Sequence, residues 1–254
     1  MALDKNLVTM CNWAMREGGV KFPGGVNPGV AVKCYRVAKQ AITFLKLQDI
    51  REQLDSLEEN IALQTMVAVY IYAGLRREEA LWLTHEDIEW DWGQFGAIWI
   101  KAKAVDEESW MSKTGEDRIV PISSQLRVYL DRYVKAVEKS GPWFFKTPKS
   151  KRWDPDNFSE WLRDANAQND LNWSCLDFRH TFGSQLAMKG ESLYKISRLL
   201  GNSPEICRKH YAAVMPESLM DSVEFPTEKE KKMAGKAKGM GDAEAPRLRL
   251  VVNK

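Results

Sequence analysis

Arg76, Lys113, Arg179, Asn202 and Tyr211 follow one another in an order that suits chemistry at a phosphodiester. They stand in the words Ala73-Gly74-Leu75-Arg76-Arg77-Glu78-Glu79, Ser112-Lys113-Thr114-Gly115, Leu176-Asp177-Phe178-Arg179-His180-Thr181-Phe182, Leu200-Gly201-Asn202 and Lys209-His210-Tyr211. Attack on a DNA phosphate builds negative charge on its non-bridging oxygens. A guanidinium meets that charge with paired N–H donors and keeps its proton. Two of them, Arg76 and Arg179, would grip the phosphate from two sides, with Asn202 as a further donor. Lys113 would protonate the leaving 5′ oxygen. Tyr211 would supply the attacking oxygen and hold the phosphate covalently. Neighbouring guanidinium charge is expected to favour its phenolate. Such chemistry needs no cofactor and no metal.

Each residue alone is ordinary. A buried tyrosine is usually core and a surface lysine is usually a solvated charge. Arg76 beside Arg77 and two glutamates reads equally well as a salt-bridged helix face. The order and the local words carry the specificity.

The elements that must position these groups are mostly helical. Leu7, Met10, Cys11 and Ala14 recur at helical spacing within residues 3–17, and Gly18-Gly19 ends that run. Residues 22–29 are turn-rich and read as a linker. Helices are expected over 35–47, over 49–57 with Asp49 as cap, over the apolar stretch 61–73, and from Arg76 to Leu83. Short β-branched and aromatic runs at 95–100 and 118–122 read as strands, the second an edge because of Pro121. Lys113 falls between them, near an expected hairpin turn. Further helices are expected from Ser123 or Ser124 to about 139, and over 156–167, 177–188, 192–200 and 204–211. Trp143-Phe144-Phe145 is a candidate strand end, followed by a basic loop over 146–152. The fold class is therefore α+β, mainly helical, with a small antiparallel sheet.

With 254 residues, 44% of them hydrophobic, the chain can bury a substantial core. Its net charge of +2 permits a nucleic-acid partner without arguing for one, so any DNA surface must come from local clusters. Lys146, Lys149, Lys151 and Arg152 form one candidate cluster, and Arg208 with Lys209 a second. The cysteines form no C-x-x-C pair, which fits reduced thiols and no metal site. No apolar run reaches membrane-spanning length, so the expected setting is cytoplasmic, with the nucleoid as location when DNA is bound. From Glu224 the composition shifts to charged and small residues and reads as disordered, with 247–252 a candidate added strand.

At these words the chain resembles the tyrosine recombinase family of the phage-integrase type. Ala73-Gly74-Leu75-Arg76-Arg77-Glu78-Glu79 is similar to the family's T-G-L-R-x-x-E, and Leu83 to Ile88 to its L-x-x-x-D-I stretch. Lys113 stands where the family has a hairpin lysine. Leu176 to Phe182 is similar to H-x-L-R-H-T-F, and Leu199 to Asn202 followed by Tyr211 to the L-G-H word and its tyrosine. Leu176 stands where the family usually has His, and Asn202 where it has His or Trp. His180 and His210 are the nearest replacements, His180 foremost as support, with Glu79 as a further supporting residue.

The resemblance implies a DNA breaking-and-rejoining catalytic fold over 31–223. It implies a remnant of a core-binding helix with its linker over 1–30, and a charged tail over 224–254. It implies a site-specific recombinase or integrase acting through a 3′-phosphotyrosyl link. Implied partners are double-stranded DNA, further copies of the chain in a tetramer, and an accessory protein or one that supplies an N-terminal domain. Leu176 and Asn202 motivate the alternative of a catalytically impaired DNA-binding relative. Type IB topoisomerases share the chemistry. A plain helix-turn-helix regulator would leave Lys113 and Tyr211 without a role.

Overall fold

The computed structural model describes residues 2–32 and 42–214. The chain divides into two compact units, Met1–Ala41 and Ile42–Lys254. In the first, α1 (Ala2–Arg16) is followed by two 3-10 turns at Pro23–Gly25 and Pro28–Ala31. Asn27 fastens the second turn to the helix. Its Nδ2 donates to the Val8 carbonyl and to Asn12 Oδ1, and its Oδ1 accepts from the Gly29 amide.

The second unit is built around α3 (Ile61–Ala73), which follows α2 (Leu47–Asp55). Nearly every face of α3 is apolar, and its residues from Leu63 to Ile71 are all buried. The remaining helices are α4 (Arg77–Leu81), α5 (Ser124–Ala136), α6 (Pro155–Ala167), α7 (Cys175–Met188), α8 (Leu193–Leu200) and α9 (Pro204–Tyr211). Of these, α5 and α7 pack directly on α3. Strands β1 (Ile88–Glu89), β2 (Ala97–Ile100) and β5 (Arg118–Pro121) form an antiparallel sheet in the order β1-β2-β5, with Ile98 opposite both Ile88 and Val120. Pro121 lies on the edge strand, as its missing N–H demands. A separate hairpin joins β3 (Lys103–Val105) to β4 (Glu108–Trp110).

The mainly helical α+β reading holds, with local corrections. Residues 42–46 are not helical, and the rest of the helix expected over 35–47 lies outside the described residues, apart from Leu47, which opens α2. Asp49 is the third residue of α2 rather than its cap, and its carboxylate accepts the Lys46 amide at 2.8 Å. Trp143 makes a single bridge to Thr84 instead of ending a strand. The hairpin turns at Asp106, three residues before Ser109, so Lys113 lies beyond it in a separate turn closed by the Gly115 amide on the Ser112 carbonyl. The tail from Glu224, including 247–252, lies outside the described residues. Among the described residues no helix is long and apolar enough to cross a membrane.

Candidate active site

The site begins where α3 stops. Gly74 takes a left-handed conformation (φ 63°) that ends the helix. A Cβ there would meet the Phe182 ring of α7 at 2.3 Å, so the turn also requires glycine for close approach. Two residues on, Arg76 caps α4. Its amide donates to Glu79 Oε2 at 2.7 Å, and its guanidinium to Glu79 Oε1 at 2.6 Å.

Glu79 is the anionic centre of a cluster of arginines. Arg118, the first residue of β5, donates to both Glu79 oxygens at 2.9 and 2.6 Å. Arg179 of α7 lies 3.9 Å from Glu79 Oε2. Burial alone would push the Glu79 carboxyl up, but the hydrogen bonds and charge of Arg118 and Arg76 prevail and hold it at about 2. Burial, with repulsion from Arg76 and Arg118, lowers Arg179 to about 10 against the pull of Glu79, which leaves it charged at neutral pH.

The C-terminal end of α8 supplies the remaining acceptors. Arg118 Nε donates to the Leu199 carbonyl at 3.0 Å, Arg179 Nη2 to Leu200 at 2.5 Å, and Arg76 Nη2 to Gly201 at 2.5 Å. Three consecutive carbonyls at the negative end of a helix dipole thus each take one guanidinium. Gly201, left-handed at φ 62°, turns the chain so that Asn202 Oδ1 accepts from Arg76 at 2.9 Å and Arg179 at 3.1 Å. With Oδ1 turned to the arginines, the Asn202 amide nitrogen is left for another acceptor. Three guanidiniums less one carboxylate leave two positive charges. That excess suits an anion that gains charge as it reacts.

Tyr211 closes the arrangement from α9. Its ring is buried against Gly183, and its hydroxyl lies 3.2 Å from His180 Nδ1. Arg76, Arg179, Asn202, His180, His210 and Tyr211 all line one cleft of about 1030 Å³. Lys113, exposed, lines a neighbouring recess that shares Arg76 and Arg77 with the cleft. The two arginines, the asparagine and the tyrosine therefore converge, while the lysine stands alongside. Leu176 is 60% exposed and also borders the cleft.

Several expectations change. Burial outweighs the Arg179 charge and pushes the Tyr211 hydroxyl up to about 12, so the phenolate is not favoured by its surroundings. His180 touches the tyrosine directly instead of standing behind it, while its ring centroid lies 5.4 Å from that of His210. Arg152 is paired with Glu108 at 2.8 Å and lies over the Trp82 ring at 4.5 Å. Lys146 donates to the Glu138 carbonyl and to Ser140 Oγ. Lys149, Lys151, Arg208 and Lys209 are exposed.

Arg118 and Arg77 escaped the sequence reading. Arg118 opens a strand whose alternation turns it inward with Val120, and that alternation was its one signal. Arg77 lies on the cleft wall and donates to Ser159 Oγ at 2.7 Å.

This arrangement of helices and small sheet is the tyrosine recombinase catalytic fold. Over 91% of the chain it superposes on 85% of the solved fragment of the Tn1549 transposon integrase, in complex with a circular intermediate DNA, with a TM-score of 0.63 at 13% identity. The model of the phage integrase family matches residues 41–217, and the chain belongs to that family. Tyrosine recombinase XerA of Pyrococcus horikoshii is 23% identical over 211 residues, 80% of this chain and 68% of that relative. A tyrosine recombinase of Thermosipho africanus is 25% identical over 203 residues, 78% of this chain and 66% of that relative. The chain thus spans about two thirds of the length of these relatives.

Proposed function

We propose that this chain cuts and rejoins double-stranded DNA through a 3′-phosphotyrosyl intermediate, as a site-specific recombinase of the integrase type. Tyr211 Oη attacks the phosphorus, the bond from phosphorus to the 5′ oxygen breaks, and the reverse attack by a 5′-hydroxyl rejoins a strand. The phosphate sits against Arg76 and Arg179, and the Asn202 amide donates to one of its oxygens. Lys113 delivers the proton that the departing 5′ oxygen needs. The tyrosine proton passes to His180. The observation that carries this reading is the convergence of Arg76, Arg179, Asn202, His180 and Tyr211 in one cleft. Further copies of the chain, each acting on one strand, would complete an exchange between two duplexes.

A nicked suicide duplex tests the reading, because loss of the short 5′-hydroxyl strand traps the covalent state. The chain should form an adduct that survives SDS, and Tyr211→Phe should form none. An adduct that persists in Tyr211→Phe would assign the attack to another group. Binding of the duplex without any adduct would identify an impaired DNA-binding relative.

The tyrosine needs a base, because a hydroxyl raised to about 12 is almost fully protonated at neutral pH. Burial, then the nearby His210, lowers the His180 pKa below its ordinary 6.5, so the ring is neutral and able to accept. Protonation disables the base, so adduct formation should rise about tenfold per pH unit below the His180 pKa and flatten above it. Single-turnover rates from pH 5 to 8 check this, and His180→Asn should abolish the acid limb. An unchanged limb in that variant would exclude His180 as its source.

A further inference from the structure

The segment that carries Lys113 is tied at both ends to the helix that carries Arg76. Upstream, Trp110 closes β4 and stacks on Trp82, with ring centroids 6.1 Å apart and planes at 20°. Trp82 is the C-terminal cap of α4 and only 6% exposed. Trp143 meets it edge-on at 5.3 Å. Arg152 lies over its ring at 4.5 Å and donates through Nε and Nη2 to Glu108 of β4 at 3.0 and 2.8 Å. Downstream, Arg118 is held by both oxygens of Glu79, again within α4. Between these anchors, Ser112 is buried and donates to the Glu116 carbonyl at 3.1 Å. The Lys113 recess is walled by Trp110, Met111, Arg76, Arg77 and Glu79.

We propose that the Trp110–Trp82 stack, locked by Arg152 and Glu108, is a clamp that positions Lys113 for proton delivery to the leaving 5′ oxygen. This rests on the strand-transfer reading above. A lysine side chain carries a large rotamer entropy, and a proton donor acts only within hydrogen-bond reach of the acceptor. An exposed lysine on an untethered turn would meet neither condition reliably. The clamp ties its backbone to α4, whose cap is Arg76, so the proton donor and the phosphate ligand share one reference frame. Trp110, Trp82 and Arg152 are positioning residues here; none need touch DNA.

Replacing the bridging 5′ oxygen by sulfur separates positioning from general damage. A thiolate, whose conjugate acid has a pKa of about 8.5, departs without a proton, whereas an alkoxide does not. Adduct formation would be measured with suicide duplexes bearing oxygen or sulfur at the scissile position. Trp110→Ala should slow the oxygen substrate about tenfold and leave the sulfur substrate within twofold of the unsubstituted chain. Trp110→Phe, which keeps a ring to stack, should recover most of the loss. Glu108→Ala, at a largely exposed carboxylate that cannot decide folding, should show the same selectivity at smaller size. Lys113→Ala reports on the underlying reading, because it too must be rescued by sulfur.

Unchanged rates on oxygen in both clamp variants would overturn the clamp. So would equal losses on the two substrates in both. If Lys113→Ala itself is not rescued, the lysine role fails first, and the clamp with it.

Discussion

Glu79→Gln should lower the unfolding free energy by about 3 kcal/mol at pH 7, and the deficit should shrink as the pH falls. In the folded chain Glu79 titrates at about 2 against an ordinary 4.5, and each unit of difference is worth about 1.4 kcal/mol. The group is depressed, so its contribution is complete above pH 4.5 and is lost as the pH falls from there through 2. Urea unfolding of both chains at pH 7 and near pH 3 checks the sign. A deficit that grows on acidification would contradict it. The substitution should also damage cleavage. Glutamine is nearly isosteric but offers one acceptor oxygen where Arg118 and Arg76 use two. Three guanidiniums would then remain packed together with only carbonyl oxygens to hold them, and removal of one partner from such a buried set costs about 3–5 kcal/mol. On the proposed reading Arg76 and Arg179 should splay from the geometry that would hold the phosphate, with adduct formation falling about 100-fold or more.

The pieces of this centre differed in how plainly the sequence carried them. The apolar run 61–73 could only be a buried helix, and Gly74 and Gly201 marked two helix ends where the backbone turns left-handed. Ser123 or Ser124 and Ser192 opened two of the expected helices, and in the structure the side chains of Ser123, Ser192 and Ser203 each accept an amide of the first turn of α5, α8 and α9. Arg76, Arg179, Asn202 and Tyr211 were visible as a set because chemistry restricts which residue types can serve a phosphate. Their scaffold was not visible. That three carbonyls of one helix end each take a guanidinium depends on how α4, β5 and α7 meet α8, and no local pattern encodes that meeting. The hairpin was misplaced for a related reason. Its turn uses Asp106 at φ 54° instead of the glycine or asparagine that marks such turns, so the Ser112–Gly115 turn looked the better candidate. The Tyr211 hydroxyl was misjudged because charge lowers its pKa while burial raises it. Residue types reveal the charge, and only packing reveals the burial.

Gly183→Ala should leave the chain folded and reduce covalent adduct formation by about 100-fold. Gly183 sits within α7, where glycine is intrinsically worse than alanine by about 1 kcal/mol. By helix propensity alone the substitution would stabilise. The helix tolerates glycine because Tyr211 occupies the missing side chain's space. A Cβ at that position would lie 2.4 Å from Tyr211 Cζ, 2.6 Å from Cε1 and 2.7 Å from Oη. No such approach is tolerable, and the atoms that must give way include the hydroxyl oxygen proposed to attack the phosphorus. Gly183 lies one turn beyond both Arg179 and His180 on α7, at i+4 and i+3 spacing. Displacement of the ring therefore shifts Oη relative to both the Arg179 guanidinium and the His180 nitrogen 3.2 Å away. A shift of about 1 Å in a reacting group costs on the order of 100-fold. The stability cost is smaller, since overpacking of about 1–3 kcal/mol is offset by the helix gain. Urea unfolding, duplex binding and adduct formation measured side by side separate these effects. Near-normal stability and binding with a large loss of adduct is the expected pattern, whereas adduct formation at the unsubstituted rate would show that the tyrosine reacts from some position other than the one it holds against α7.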